Sequence, residues 1–505
     1  MTKLGNIIPF LATAAIVAFC VQIFSANQAD VDLWGNVFFV QAPAWAEGFH
    51  RINTFSFTEP GHGWINHEWL AQYSFHSVYR LFGNAGLIGL KVLLGLLIIG
   101  LMNRAMRKEC RSGVVRFLWL MLVISVMGFG FNTRPHLFTF LMVAIFLTLL
   151  GRPKFSPWLV IVIPLLGLIW VNLHGAFFIG LIVLGIFLVG RGVPPRPLGE
   201  GRNLAVLAGA LTLFIGLTFV NPYGVALWKF VAGSAATVRP YLTEWAPFDW
   251  RVDFAEHADF VVLAVIVFGS LIFTKIRRDP AGVALLLISF LAALMMRRNI
   301  PLFALVAGFV AARHVDSVAG ERLSRLAARV PDRVLAVLAA LFILLSVFYT
   351  VTFNKTNPLQ VEVARDRVPV ELVAFLETNE IKGNALIFFD WAEYGIRHLY
   401  PNCRVFLDGR FTDAYDIATV NDFFNFLYAG NGWEAALQRY PTDIVLIHRQ
   451  LPVYAAMTAL PGWQLVAETD LAGLFLKIEA HARTVEQIRT REFRLKAIPG
   501  PVYFP

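Results

Sequence analysis

The sequence predicts a polytopic, all-α membrane bundle of about eleven helices followed by a small C-terminal α/β domain. Three observations predict it. Of 505 residues, 57% are apolar and 15% charged, where an ordinary soluble protein carries roughly 25% charged residues. Apolar runs of about 20 residues, long enough to cross a bilayer, recur through the first 350 positions. After Thr352 the pattern changes to short alternating segments punctuated by turn residues. Charge divides at the same place. Residues 354–505 carry 15 Lys and Arg against 18 Asp and Glu, a net of −3, while the first 353 residues carry 28 against 16, a net of +12. The overall +9 is therefore not one basic surface of the kind that binds nucleic acid. Cys20, Cys110 and Cys403 lie in unrelated regions, which argues against a disulfide-built module or a cysteine zinc site.

Taken in order, the apolar runs fall at about 7–25, 85–102, 115–131, 136–150, 157–172, 175–190, 204–220, 259–274, 281–296, 300–312 and 334–352. The first follows Lys3 and ends in a cleavage-like Ser25-Ala26-Asn27-Gln28-Ala29, but its apolar core of about 18 residues is long for a signal peptide, so it is read as an uncleaved helix. Basic residues set the orientation. Loops 103–116, 151–156, 191–203 (Arg191, Arg196, Arg202), 275–280 and 313–333 hold 18 Lys and Arg and are placed inside. The expected domains are a transmembrane part, 1–353, with a large first external loop at 27–83; a soluble α/β domain, 354–480, on the outside; and a polar helix and tail, 481–505. Within the α/β domain, helices are expected at 368–379, 393–399, 433–439 and 452–460. Strands are expected at 385–389, 404–407 and 443–448, with a closing hairpin at 464–468 and 473–478.

The segments placed outside hold the dense polar chemistry. The first external loop opens with Asp30-Val31-Asp32-Leu33-Trp34 and continues through Asn53-Thr54 to Trp64-Ile65-Asn66-His67-Glu68-Trp69-Leu70. Further along come Arg134-Pro135-His136, Asn172-Leu173-His174-Gly175, Asn221-Pro222-Tyr223-Gly224, Glu244-Trp245 and Arg297-Arg298-Asn299. Charged groups beside hydrocarbon are costly, so Arg134, Arg297 and Arg298 at outer turns call for a reason. They either snorkel and pair structurally with nearby carboxylates or fork onto a phosphate, as a lipid-linked phosphate at that depth would require. Asp30 and Asp32, with Glu68, either solvate a helix end or serve as general base toward an acceptor; Asp30 and Asp32 can also ligate a divalent metal such as Mg²⁺ or Mn²⁺. His67, His136 and His174 lack zinc-ligand spacing and are expected to bond backbone or an anionic ligand, with Asn66 beside them.

Two clusters in the tail follow expected strands: Asp390-Trp391-Ala392-Glu393-Tyr394-Gly395 and Asp408-Gly409-Arg410-Phe411-Thr412-Asp413-Ala414-Tyr415. They read either as ordinary turns or as binding groups displayed at strand ends. No Walker loop, dinucleotide fingerprint or Gly-x-Ser-x-Gly elbow is present, so nucleotide binding and serine hydrolysis lack support.

On these residues the chain resembles the GT-C superfamily of integral-membrane glycosyltransferases, which use sugars carried on polyprenyl phosphate. It is most similar to uncharacterised bacterial multi-pass members. The resemblance rests on Asp32-Leu33-Trp34, the Trp64–Leu70 stretch, Arg134–His136, Asn172–Gly175, Asn221–Gly224 with Glu244-Trp245, and Asp408–Arg410, and so covers nearly the whole chain. It implies a catalytic acidic residue just past the first helix, here Asp32. A looser similarity links Trp391, Glu393, Tyr394 and Gly395 to the acceptor-reading motif of oligosaccharyltransferase catalytic subunits. It implies that Trp391, Glu393, Tyr394, Asp408 and Arg410 help to hold the acceptor.

The expected activity is transfer of a sugar from a polyprenyl-phosphate carrier to a glycan, lipid or protein acceptor at the outer face of the bacterial cytoplasmic membrane. Arg134, Arg297 and Arg298, with His67, Asn66, His136 and His174, would bind the carrier phosphate and sugar. Two alternatives stand beside it: a flippase or transporter of a lipid-linked solute, for which internal repeats are wanting, and a non-catalytic envelope assembly protein with the same fold.

Overall fold

The computed structural model describes residues 7–41, 51–152, 154–192, 200–237, 239–353, 357–490 and 495–505. Lys3, Arg196, part of the first external loop (42–50) and part of the polar tail (491–494) lie outside the described residues. The chain forms two compact units: one of Met1–Asn27, Val78–Gly224 and Val238–Gln360, the other of Gln28–Ser77, Val225–Thr237 and Val361–Pro505. Most of the segment expected as the first external loop, Gln28–Ser77, thus belongs with the C-terminal segment.

The first unit is helical. Each of the eleven apolar runs lies on a helix, because continuous Leu, Ile, Val and Phe with few breakers leave the backbone no partner but itself. Among the described residues, four helices are long and apolar enough to cross a membrane: Trp69–Glu109, Gly175–Gly192, Glu200–Leu217 and Asp332–Thr352. Arg297–Val310 and Ala312–Ala327, bent by 61°, make a fifth if taken as one span. The other six runs lie on helices of 10–17 residues, so length and composition support four or five crossings of the eleven expected. The helix Trp69–Glu109 is interrupted at Gly83, whose φ of 59° only glycine adopts readily. Ile8–Phe24 packs on Asp332–Phe353, and Leu159–Leu173 on Glu200–Leu217. The core between helices is aromatic, with Phe24, Phe131, Phe146, Trp170, Phe214 and Phe303 fully buried. Lys91, also buried, donates from Nζ to the Ala26 carbonyl, which satisfies a cation inside an apolar run.

The second unit is built on a five-stranded mixed sheet. Its strands are β1 (Gly383–Ile387), β2 (Cys403–Val405), β3 (Ile444–His448), β4 (Trp463–Glu468) and β5 (Ala472–Lys477), in spatial order β2-β1-β3-β5-β4. β2, β1 and β3 are parallel; β3, β5 and β4 are antiparallel. β3, read as Ile-Val-Leu-Ile-His, is an unbroken apolar run, as expected for a central strand covered on both faces. The β2 edge is closed by the first loop: Val405 donates to the Phe55 carbonyl, and Phe57 donates to that of Val405. Pairing an edge this way removes its unsatisfied backbone groups. Most expected tail elements are present within a few residues; the helix Ile417–Leu427 was not among them, and the final polar helix covers only Ala482–Arg489.

Candidate functional site

In the second unit, the two polar clusters follow the carboxyl ends of the parallel strands β1 and β2, where open α/β sheets characteristically present their binding groups. The cluster after β2 is anchored by Asp408, which is fully buried. Its carboxylate accepts from Arg410 Nε (2.8 Å) and Nη2 (2.7 Å), from the Tyr415 hydroxyl (2.5 Å) and from the Arg410 backbone N–H (3.1 Å). Arg410 Nη2 also donates to Asn53 Oδ1 at 2.8 Å. The guanidinium lies over Trp64 (4.6 Å), Phe55 (5.1 Å) and Phe39 (5.3 Å), while its Nη1 is buried without a hydrogen-bond partner among the described residues. Burial would raise the Asp408 carboxyl, but the Arg410 charge and the bonds from Arg410 and Tyr415 hold it below its usual range. Phe411, next in the loop, sits at φ 46°, a conformation that costs a bulky residue about 1–3 kcal/mol.

Glu393 belongs to the helix after β1 and is 7% exposed. Burial first, then the charges of Asp32 and Asp408, push its carboxyl well above the usual range; the Gly35 N–H and Arg410 oppose this only in part. Glu393 therefore favours its protonated form. Its Oε2 accepts the Gly35 N–H at 2.9 Å. That amide lies in the first turn of the helix Leu33–Phe38, whose N-cap is Asp32. An N-cap Asp ordinarily takes such an amide itself. Here Asp32 makes no side-chain capping bond among the described residues, and Glu393 takes the amide instead. Two glycines make room. A Cβ on Gly35 would stand 2.6 Å from Glu393 Oε2, and one on Gly409 would stand 2.7 Å from Glu393 Oε1 and 3.2 Å from Asp32 Oδ1. The glycine of Asp-Gly-Arg is thus required by space rather than by φ.

Asp30 supports the turn into this helix, its Oδ1 accepting the Asp32 N–H at 3.1 Å. Glu68 pairs with His67 at 3.5 Å, and its N–H donates to Asn66 Oδ1; Asn66 in turn donates to Gln72. Burial would lower the His67 imidazolium, but Glu68, Asp413 and the Ile65 carbonyl raise it to about 9. Trp391 and Tyr394 are interior residues: Trp391 Nε1 donates to the Arg367 carbonyl, and Tyr394 packs on Trp34 and His398. A cleft of about 160 Å³ beside Glu393 is walled by Trp34, Phe38, Phe55 and Tyr400, with Arg397 at its side.

The first unit carries the arginines. Arg134 and Arg298 share one carboxylate, Glu244, at 3.2 Å and 3.5 Å. The Arg298 guanidinium also lies 4.4 Å from the centre of the Trp245 ring, and Arg239 lies 4.2 Å from it. Arg297 is committed to Asp253 (2.6 Å) and to the Thr243 carbonyl (2.5 Å). His136 Nε2 donates to the Gly130 carbonyl at 2.6 Å. Trp170 Nε1–H donates to Thr139 Oγ1, and the Thr139 hydroxyl shares a hydrogen bond of 2.8 Å with His174 Nδ1.

The structure therefore groups Asp32, Glu393, Asp408 and Arg410 in the second unit, and Arg134, Arg298 and Glu244 in the first. Asn53, Tyr415, Arg239 and Asp253 complete these groups without having been candidates. Asn53 and Tyr415 stand inside polar stretches already noted, which was their one signal; Arg239 and Asp253 had none.

A multi-helix unit with a small mixed sheet near the C-terminus defines the class of fold. No family model and no curated protein matches the chain. Among solved structures it is similar to ArnT from Cupriavidus metallidurans. The apo form matches with a TM-score of 0.55 and 13% identity over 94% of this chain and 98% of that one. The form bound to undecaprenyl phosphate matches with a TM-score of 0.50 and 12% identity over the same shares. The chain has an ArnT-like fold.

Proposed function

We propose that this protein is an integral-membrane glycosyltransferase that moves a sugar from a polyprenyl-phosphate carrier to an acceptor. The reading places it in the bacterial cytoplasmic membrane with residues 354–505 on the outer side, where a glycan, lipid or protein acceptor would be met. What carries it is the ArnT-like fold, one of whose representatives binds undecaprenyl phosphate, combined with an N-cap aspartate whose capping role another carboxyl has taken.

In this reading Asp32 is the general base. It removes the proton from an acceptor hydroxyl or amine as that group attacks the anomeric carbon, and the bond to the carrier phosphate breaks with inversion. Glu393, pushed toward its protonated form by burial and then by the charges of Asp32 and Asp408, limits the negative charge beside Asp32. In the first unit, Arg134 and Arg298, with Arg297 nearby in sequence, are the candidates for holding a carrier phosphate. Glu244 holds the first two apart from solvent ions until an anion replaces it. Glu68, His67 and Asn66 orient acceptor or sugar hydroxyls, and Asp408 and Arg410 hold the loop around Glu393. Asp30 and Asp32 offer oxygen donors of the kind Mg²⁺ or Mn²⁺ takes, and such an ion would orient the acceptor.

The test is Asp32→Asn in the full-length protein, assayed by mass spectrometry of envelope glycans and glycolipids in cells with the wild-type gene, the variant or neither. Transfer should fall about 10²–10⁴-fold with the protein present at normal level. A variant glycan profile identical to that of the wild type refutes catalysis by Asp32.

A further inference from the structure

We propose that Glu59, His62 and Asp416 form a binding site for a divalent transition-metal ion of the zinc class, which ties the hairpin at 52–64 to the start of the helix Ile417–Leu427. All three residues belong to the second unit, and the proposal is independent of glycosyl transfer. One ligand atom from each lies within 4.8 Å of the others.

The detailed geometry suits an ion better than direct pairing. His62 Nδ1 is 3.6 Å from Glu59 Oε2, too far for a hydrogen bond and close to the about 3.3 Å that separates two ligands on a tetrahedral ion with bonds of 2.0–2.1 Å. Asp416 is the N-cap of its helix and has the extended backbone of a capping residue (φ −67°, ψ 146°), yet its side chain makes no capping bond among the described residues. Its carboxylate lies with Glu59 and His62 instead. Glu59 is already oriented: its Oε1 accepts the hydroxyl of buried Thr419 at 2.5 Å. Outer hydrogen bonds of this kind fix ligating carboxylates. The hairpin itself is held by Asn53 N–H to the His62 carbonyl (2.7 Å) and His62 N–H to the Glu59 carbonyl (3.2 Å). Asp416 is exposed and the His62 side chain 31% exposed, so an ion has a way in.

One imidazole nitrogen and two carboxylates favour Zn²⁺ and its neighbours over Ca²⁺ or Mg²⁺, which prefer oxygen alone. This separates the site from the oxygen-only pair Asp30 and Asp32.

The full-length chain in detergent, stripped with EDTA and desalted, is titrated with Zn²⁺ alone and its retained metal counted by mass spectrometry. Wild type and Asp32→Asn should each retain one Zn²⁺ per chain. His62→Ala and Asp416→Asn should lose that stoichiometric ion, and Thr419→Val should bind it about 10–100-fold more weakly. Zn²⁺ should raise the melting temperature of the wild type and leave Asp416→Asn unmoved. Melting of each variant in EDTA reports its folding, and Asp416→Asn, at an exposed position, decides the matter if His62→Ala misfolds. No stoichiometric Zn²⁺ on the wild type, or equal retention by Asp416→Asn, overturns the proposal.

Discussion

Replacing Arg410 by Met tests whether the buried ion pair organises the loop that carries Asp-Gly-Arg. Asp408 is 0% exposed and Arg410 7%. Their closest approach is 2.7 Å, and the guanidinium supplies two of the four donors to the carboxylate. Met fills much of the arginine stem and keeps the backbone N–H, so the loss is chiefly the charge, its two bonds to Asp408 and the one to Asn53. Leaving a buried carboxylate unpaired costs about 3–5 kcal/mol. For a unit of roughly 200 residues each kcal/mol corresponds to about 2–4 °C, so an apparent melting temperature lower by roughly 6–20 °C is expected. The double variant Asp408→Asn with Arg410→Met removes both charges and should recover a substantial part of the loss, because neighbours in one network do not add. Tryptophan fluorescence during a thermal ramp in detergent at a fixed rate measures all three proteins. A single variant melting within about 2 °C of the wild type, or a double variant no better than the single, would refute the reasoning.

Three further outcomes follow from the same geometry. Glu393 has a raised folded-state value, so the unfolded chain loses that proton first and its stability contribution falls as pH rises toward the folded value; Glu393→Gln should gain on the wild type in melting temperature between pH 5 and pH 8, and an unchanged difference would contradict a neutral Glu393. His67, raised from 6.5 to about 9, contributes up to about 3 kcal/mol that is fully present below pH 6.5 and lost as pH rises through 9; Glu68→Gln should flatten that decline, and parallel curves for the two proteins would exclude Glu68 as its source. Gly409→Ala should cost about 1–3 kcal/mol because its Cβ meets Glu393 Oε1 at 2.7 Å; Gly185→Ala, with nothing within 4 Å, is the matched control and should melt with the wild type.

Periodicity and hydropathy were enough to place most of the helices and the five strands. Long apolar runs become helices because only a helix pairs their backbone within the segment, and the alternation after Thr352 marked β1 to β5 to within a few residues. The helix Ile417–Leu427 was not expected, although Val420, Phe423, Phe424 and Leu427 give it a buried apolar face at helical spacing. Eleven runs did not translate into eleven spans of full length, since hydropathy reports composition and not where a helix stops.

Composition and local pattern by themselves determined the membrane-type helices, the α/β tail and the short polar stretches in which function was sought. Only the tertiary structure decided what those stretches do to one another. Asp32 and Glu393 share no period, yet one helix amide is capped by the second instead of the first. Asp408 and Arg410, read either as an ordinary turn or as binding groups, form a buried ion pair that is joined to Asn53. Trp391 and Tyr394, sought as acceptor contacts, are packed inside. Helix and strand propensity act over a few residues, whereas desolvation and pairing depend on which distant segments are brought together, and only the packed fold specifies that.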